Sequence, residues 1–222
     1  MRAMGKLPEC IAIDGPAASG KSTVGKAIAK RFGYRFLDTG LMYRAVTLAG
    51  LRLGIAPVAG EVDELLANLA LRLEPDGEGS RVFLGDEDVT PRMRDPEVEA
   101  KVSAYSAIAE IRAELVRVQR EFARSGPSIL AGRDIGTVVL PDAPLKFYLE
   151  ASETARAERR GEQATQKAES ALRDISQRDA VDSARAVSPL RPAEDAIIID
   201  TTEMTLDEVL EFALEKVQCA SG

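Results

Sequence analysis

Gly15-Pro16-Ala17-Ala18-Ser19-Gly20-Lys21-Ser22 restricts the folds open to this 222-residue chain more than any other stretch. It fits G-x-x-x-x-G-K-[ST], a pattern whose meaning depends on a strand before it and a helix after it. Cys10-Ile11-Ala12-Ile13-Asp14 reads as that short apolar strand. Residues 23–32 carry helix formers with Val24, Ala27 and Ile28 on one side. With Gly near 7% of residues, the pattern arises by accident in roughly one chain of this length in a hundred. The flanking strand and helix make accident rarer still.

The residue types have a physical reason. Gly15 and Gly20 let the backbone turn so that successive N–H groups face one concavity. That concavity opens onto a helix N-terminus, whose free donors and dipole favour an anion. Pro16, Ala17, Ala18 and Ser19 complete the loop, and Thr23 follows it into the helix. Lys21 supplies a point charge to β- and γ-phosphates, and the Ser22 hydroxyl is a Mg²⁺ ligand. The loop therefore implies a nucleoside triphosphate with Mg²⁺, and leaves the fate of the γ-phosphate open.

The rest of the chain reads as alternating strands and helices. Gly33 caps the first helix, Arg35-Phe36-Leu37 is a strand, and a helix over 41–53 stops at Gly54 and Pro57. A short helix is expected over 62–71. From 71 to 89 the pattern changes: Leu71-Arg72-Leu73-Glu74 alternates, Pro75-Asp76-Gly77 turns, Arg81-Val82-Phe83-Leu84 resumes and Gly85-Asp86 turns again. This is a small antiparallel meander inserted into an α/β chain. Thr90-Pro91 and Asp95-Pro96 start helices. Ile108, Ile111, Leu115, Val118 and Phe122 form one helical stripe. Ser128-Ile129-Leu130-Ala131, Leu145-Lys146-Phe147-Tyr148-Leu149 and Ile197-Ile198-Ile199-Asp200 are further strands. Residues 152–186 are polar, helical in bias and dense in Arg. Thr205-Leu206-Asp207-Glu208 is a capping box for a last helix with Leu206, Val209, Leu210, Ala213 and Val217 on its core face. Such alternation predicts an α/β fold of the P-loop NTPase type: a parallel sheet with helices on both faces, plus a small antiparallel β insertion. Ligands gather at the carboxyl ends of the strands in such sheets.

Composition narrows the partners. The net charge of −7 argues against non-specific nucleic-acid or membrane binding. Residues 1–9 lack an apolar signal core and no run reaches transmembrane length, so a cytoplasmic protein is expected. Two cysteines, Cys10 and Cys219, fit a reducing compartment without a disulfide framework. The chain has no His, which excludes imidazole chemistry.

Four segments bring Arg and Asp toward the same rim: Asp38-Thr39-Gly40 with Tyr43-Arg44, Ser103 with Arg112, Gly132-Arg133-Asp134, and Arg178-Asp179 through Asp182 to Arg185. Singly each has a plain reading. Thr39 serves as a helix N-cap, Arg112 and Arg117 as a solvated helix face, and Arg133-Asp134 as a structural ion pair. Together they suit phosphoryl transfer, which needs cations around transferring and receiving phosphates. An acceptor that is itself a phosphate needs no general base, so the missing His is no obstacle.

The block Ile13 to Thr23 resembles the P-loop of bacterial cytidylate kinases, as does Leu37-Asp38-Thr39-Gly40 with Tyr43-Arg44. Gly132-Arg133-Asp134-Ile135-Gly136-Thr137-Val138-Val139, continuing through Pro141-Asp142-Ala143-Pro144, is similar to that family's most distinctive block. Arg178-Asp179, Arg185-Ala186-Val187 and Pro192-Ala193-Glu194-Asp195 extend the likeness over nearly the whole chain.

The resemblance implies transfer of the γ-phosphate of ATP to CMP or dCMP with Mg²⁺, in a single domain with an acceptor-binding insertion over about 62–104 and a helical lid over about 152–180. It implies that Lys21, Arg133 and Arg185 act in catalysis, and that Arg44, Arg133 and Arg185 hold the CMP phosphate. Ser103, Arg112 and Asp134 would read cytosine, with Thr39 also on the acceptor side. Arg178 and Asp182 would hold the ribose, and Arg156, Arg159 and Arg160 would face ATP from the lid. The stretch 160–178 is shorter than in many relatives. A monomer working on small molecules, without nucleic acid or membrane, is expected. A P-loop kinase for another small acceptor and a nucleotide-dependent switch remain as alternatives. The guanine-reading Asn-Lys-x-Asp of a GTPase switch is absent from the sequence.

Overall fold

The structure is a computed structural model that describes residues 7–76, 79–164, 168–185 and 188–220. Gly77 of the expected meander turn, residues 165–167 of the expected lid and Ala186-Val187 of the matched block lie outside the described residues.

Five strands form the central sheet: β1 (Cys10–Asp14), β2 (Arg35–Asp38), β6 (Ser128–Gly132), β7 (Leu145–Glu150) and β8 (Ile197–Asp200). All pair in parallel, in the order β2-β6-β1-β7-β8. The near-continuous apolar strands follow from burial on both faces. Ile11 and Ile13 face one core with α1 (Lys21–Phe32) and α8 (Leu206–Cys219). Ala12 between them faces a second core with α2 (Thr39–Leu53), α4 (Pro96–Ser106) and α5 (Ala109–Arg124). Register decides the site. Asp14 pairs with Gly132 and Tyr148, and Asp38 pairs with Ala131, so the carboxyl ends of four strands stand level.

The meander is present as a separate antiparallel sheet of β3 (Leu71–Pro75), β4 (Ser80–Leu84) and β5 (Glu87–Asp88). Its Val82 joins Val89, Met93, Val98 and Leu48 of α2 in a third, smaller core. Beyond β7, α6 (Glu153–Ala164) and α7 (Ala168–Ser183) pack on each other. No described helix is long and apolar enough to cross a membrane.

Four local expectations need correction. The helix expected over 62–71 is only α3 (Asp63–Ala67). Asn68 turns its side-chain amide back onto the Glu64 carbonyl at 2.8 Å, and Leu71 is taken by its pairing with Leu84. After Thr90-Pro91 there is one 3₁₀ turn, Thr90–Arg94, because Asp95 before Pro96 is held extended at φ −56, ψ 139. Asp38, not Thr39, caps α2: its carboxylate accepts from the Gly40 N–H at 3.0 Å. Leu206 does not join the core face of α8. It is 53% exposed in the helix's first turn, on the rim of the cleft described below, while Val209, Ala213 and Val217 are buried. The capping box itself is complete, with Thr205 and Glu208 each satisfying the other's backbone N–H.

Candidate active site

A cleft of about 990 Å³ runs along the carboxyl ends of the strands, from the 15–22 loop to the N-terminal turns of α2 and the sides of α4 and α7. Its floor is built by close backbone approach. A Cβ on Gly15 would stand 2.0 Å from the Leu149 carbonyl, and Gly15 has φ +146. A Cβ on Gly132 would meet the Thr39 hydroxyl at 2.7 Å. Gly20 and Ala18 also take positive φ, curling the loop so that it ends on the first turn of α1.

Lys21 lies buried in this loop, its ammonium donating to the Pro16 carbonyl at 2.5 Å and the Ser19 hydroxyl at 3.3 Å. Burial, and then the Arg133 charge, push its pKa well below the ordinary lysine value; Asp38, Asp14 and Asp179 pull the other way. The Ser22 hydroxyl donates to Asp38 at 2.7 Å. Pro16 enters the site through its carbonyl. The sites of Ala17, Ala18, Gly20 and Thr23 line the cleft.

Of the expected arginines, Arg44, Arg112, Arg133, Arg159, Arg160, Arg178 and Arg185 line the cleft and Arg156 is buried behind it, and each has an acid or carbonyl partner. Arg112 is 3% exposed and Asp134 4% exposed; they form a buried ion pair. Arg112 also donates to the Ser106 carbonyl at 3.2 Å and lies over the Tyr43 ring at 5.4 Å. Burial pushes the Tyr43 hydroxyl up to about 12, with Arg112 opposing. Arg133 donates from Nε to Asp182 at 2.8 Å, and Arg185 pairs with the other Asp182 oxygen. Burial opposes the Arg133 charge, yet Asp182 holds its pKa above the ordinary value; burial lowers that of Arg185. Arg185 also donates to the Ser106 hydroxyl at 2.8 Å. The Nε atoms of Arg112 and Arg185 are buried without a partner. Thus Arg133-Asp134 is no local ion pair, and Arg112 is no solvated face; each acid serves a more distant arginine. Arg117 does lie on a solvated face, paired with Glu114 and Glu121.

Thr39 lies at the same rim, its hydroxyl donating to the Ala131 carbonyl at 2.9 Å. Ser103 lines the cleft from α4. Arg159 donates to the Thr201 hydroxyl at 2.9 Å and carbonyl at 2.6 Å. Arg44, Arg160 and Arg178 converge on the Glu99 carboxylate.

Four residues that sequence reasoning passed over belong to this arrangement. Asp14, buried at the end of β1, accepts from the Ile135 and Gly136 N–H groups at 2.8 and 2.7 Å. It ties the P-loop strand to the turn after Arg133-Asp134. Its burial raises its pKa to about 6, against those two donors. Asp179 accepts from the Ala17 N–H at 3.1 Å and pairs with Arg156, which also donates to the Ala17 carbonyl at 3.1 Å. Glu99 is the third and Arg94, exposed on the same rim, the fourth. Only the Arg178-Asp179 motif carried a signal for any of them; Glu99 reads as an ordinary acid in the first turn of a helix.

Comparison with known proteins agrees with this geometry. A cytidylate kinase family model matches residues 11–219. Cytidylate kinase of Streptococcus pyogenes serotype M18 (strain MGAS8232) is 50% identical over 215 residues, covering 94% of this chain and 95% of that protein. Cytidylate kinase of Streptococcus thermophilus (strain ATCC BAA-491 / LMD-9) is 48% identical over 215 residues, with the same coverage. A crystal structure of an uncharacterized protein from Eubacterium ventriosum ATCC 27560 shares the fold, with TM-score 0.53 at 14% identity over 94% of this chain and 97% of that one. With a glycine-turned loop facing a wall of paired arginines, and a family match spanning nearly the whole sequence, the chain belongs to the cytidylate kinase family and is a kinase.

Proposed function

We propose that this kinase transfers the γ-phosphate of ATP to CMP or dCMP, giving ADP and CDP or dCDP for pyrimidine nucleotide metabolism. The observation that carries the reading is the opposition, across one cleft, of the P-loop and the Arg112–Asp134 and Arg133–Asp182–Arg185 clusters. The loop 15–22, Thr23 and Arg159 take the donor. Lys21, Arg133 and Arg185 hold the transferring phosphate, where charge spreads in the transition state. Arg44 joins Arg133 and Arg185 on the acceptor phosphate. Arg178 and Asp182 take the ribose, Ser103, Arg112 and Asp134 the base, and Thr39 lies on the acceptor side with them. The unpartnered Nε atoms of Arg112 and Arg185 are donors that a ligand can use.

The residues fit Mg²⁺. Ser22 presents a hydroxyl backed by the Asp38 carboxylate, a hard oxygen set suited to that ion. Held there, Mg²⁺ would supply positive charge against the charge that develops on the phosphates during transfer. Ser22 is the residue to hold it, and Asp38 orients the hydroxyl.

The chain forms one domain, 1–222. Residues of about 62–104 form its acceptor-binding insertion and about 152–180 its lid. It works as a cytoplasmic monomer on small molecules, with no nucleic-acid or membrane partner; the net charge of −7 is the supporting observation for the last point. A coupled assay with ATP and Mg²⁺ across CMP, dCMP, UMP and AMP tests the reading. The expected result is efficient turnover of CMP or dCMP and poor turnover of the others. Equal rates on all four, or steady ATP hydrolysis indifferent to acceptor, would discard it.

A further inference from the structure

Glu99 stands where three guanidinium groups from three elements meet. Its Oε1 accepts from Nε of Arg44 on α2 at 3.1 Å. Its Oε2 accepts from Arg160 on α6 at 3.0 Å and from Arg178 on α7. Arg178 also donates to the Glu99 backbone carbonyl at 3.2 Å. All three arginines line the cleft, as does Ser103 one helical turn beyond Glu99. Glu99 and the three arginines are each largely buried. Three positive forks converging on one carboxylate leave the cluster two charges in excess. That excess suits an anion with more charge and more acceptor oxygens than a carboxylate, namely a phosphate group.

We propose that Glu99 is a removable counter-anion: it holds Arg44, Arg160 and Arg178 together until a nucleotide arrives and then gives them up to it, Arg44 and Arg160 to phosphate and Arg178 to the ribose beside it. Physical need explains its presence. Burial lowers the pKa of Arg160, and Arg178, Arg94 and Arg44 lower it further by repulsion, while Glu99 opposes them. Without an anion, the three groups would repel one another in a partly dry site. Glu99 also spans from α4 to α6 and α7. Its release therefore unties those helices from the insertion side at the moment a ligand can replace the tie.

The inference rests on the cleft being the nucleotide site, but its test can begin without a nucleotide. Inorganic phosphate is titrated by calorimetry, at low ionic strength, into the wild type, Glu99→Gln and Glu99→Asp. A positioning role for Glu99 predicts weaker binding in Glu99→Gln, because the arginines lose their organiser. A counter-anion predicts the reverse. Removing a competing unit charge a few ångströms away should tighten phosphate binding by roughly tenfold or more. Glu99→Asp, which keeps the charge but shortens its reach, should give a smaller gain and guards against a folding defect in Glu99→Gln. The KM for CMP should fall in the same order. Hydrogen exchange in α6 and α7 should be faster in ligand-free Glu99→Gln than in the wild type, and equal once CMP and a non-hydrolysable ATP analogue are bound. Unchanged or weakened phosphate binding in both variants overturns the proposal. A wild type inert toward CMP instead overturns the acceptor assignment, and the phosphate titration still decides the role of Glu99.

Discussion

Asp134 and Arg112 face each other in a nearly dry site, and what they do there is measurable as a ratio. Cytosine offers an N4 amino donor, which a carboxylate accepts; uracil puts an oxygen there. Asp134→Ala should lower kcat/KM for CMP more than for UMP. One good base contact is worth about 1–3 kcal/mol, so the preference should narrow by roughly tenfold or more. Equal losses on both acceptors would remove Asp134 from base reading and leave it as the partner of Arg112. Asp134→Asn, which can donate to the uracil oxygen, should narrow the ratio further. Lys21→Ala should cost about 10²–10³ in kcat. The fold should survive, and near-normal kcat in the folded variant would contradict the assignment. Asp14 makes a third case. Its folded pKa of about 6 stands above the ordinary value of 3.8. Its protonated form therefore favours the native state, fully below pH 4, and that advantage is lost as pH rises through 6. Relative to Asp14→Asn, the wild type should lose about 1.4 kcal/mol per pH unit across that window. Denaturant melts of both proteins at pH 4, 5, 6 and 7 check this, and a pH-independent difference would refute it. The arginines and Asp134 were legible in the sequence because short motifs carry them. Their pairings were not: Arg133 finds Asp182 and Arg178 finds Glu99 across 49 and 79 residues.

The elements α6 and α7 are where a ligand should act on structure. Asp179 takes up the Ala17 N–H, a donor of the P-loop, and Glu99 takes Arg160 and Arg178. Two carboxylates thus hold these helices at both ends of the site. Nucleotides should replace both ties with phosphate contacts and tighten the pair. Hydrogen exchange over residues 156–171 should slow when an ATP analogue and CMP are bound together; unchanged exchange with both sites saturated would count against a lid there. Element boundaries show where local pattern suffices. The strand–loop–helix around Gly15, the meander and the Thr205 capping box each rest on neighbours in sequence, and the structure has them where the pattern puts them. The end of α3 at Asn68 and the brief turn at Thr90 do not rest on apolar spacing. One depends on an amide competing for backbone, the other on the restriction that Pro96 places on Asp95. Leu206 shows a different gap: periodicity assigns a helix face, but the first turn of α8 overhangs the cleft rather than the sheet.

At the scale of the whole molecule, an acidic protein must admit polyanions. The net charge of −7 repels a nucleotide at long range, and salt screens that repulsion beyond a Debye length of about 8 Å at physiological ionic strength. An arginine of the cleft in contact with a phosphate would lie well within that length and stay effective. Binding should therefore change little between 50 and 300 mM KCl, measured as KM for CMP and for ATP. A steep loss of affinity over that range would show that surface charge, not the cleft, governs capture. The reason reaches back to the acids that most of these arginines already hold. Asp182, Asp134, Asp179 and Glu99 are counter-ions built into the chain. An incoming phosphate then exchanges with a tethered carboxylate rather than setting free a potassium or chloride ion. A phosphate-binding surface that sheds its ions gains mixing entropy; one whose counter-ions are tethered would keep them, and its grip should be largely indifferent to the brine around it.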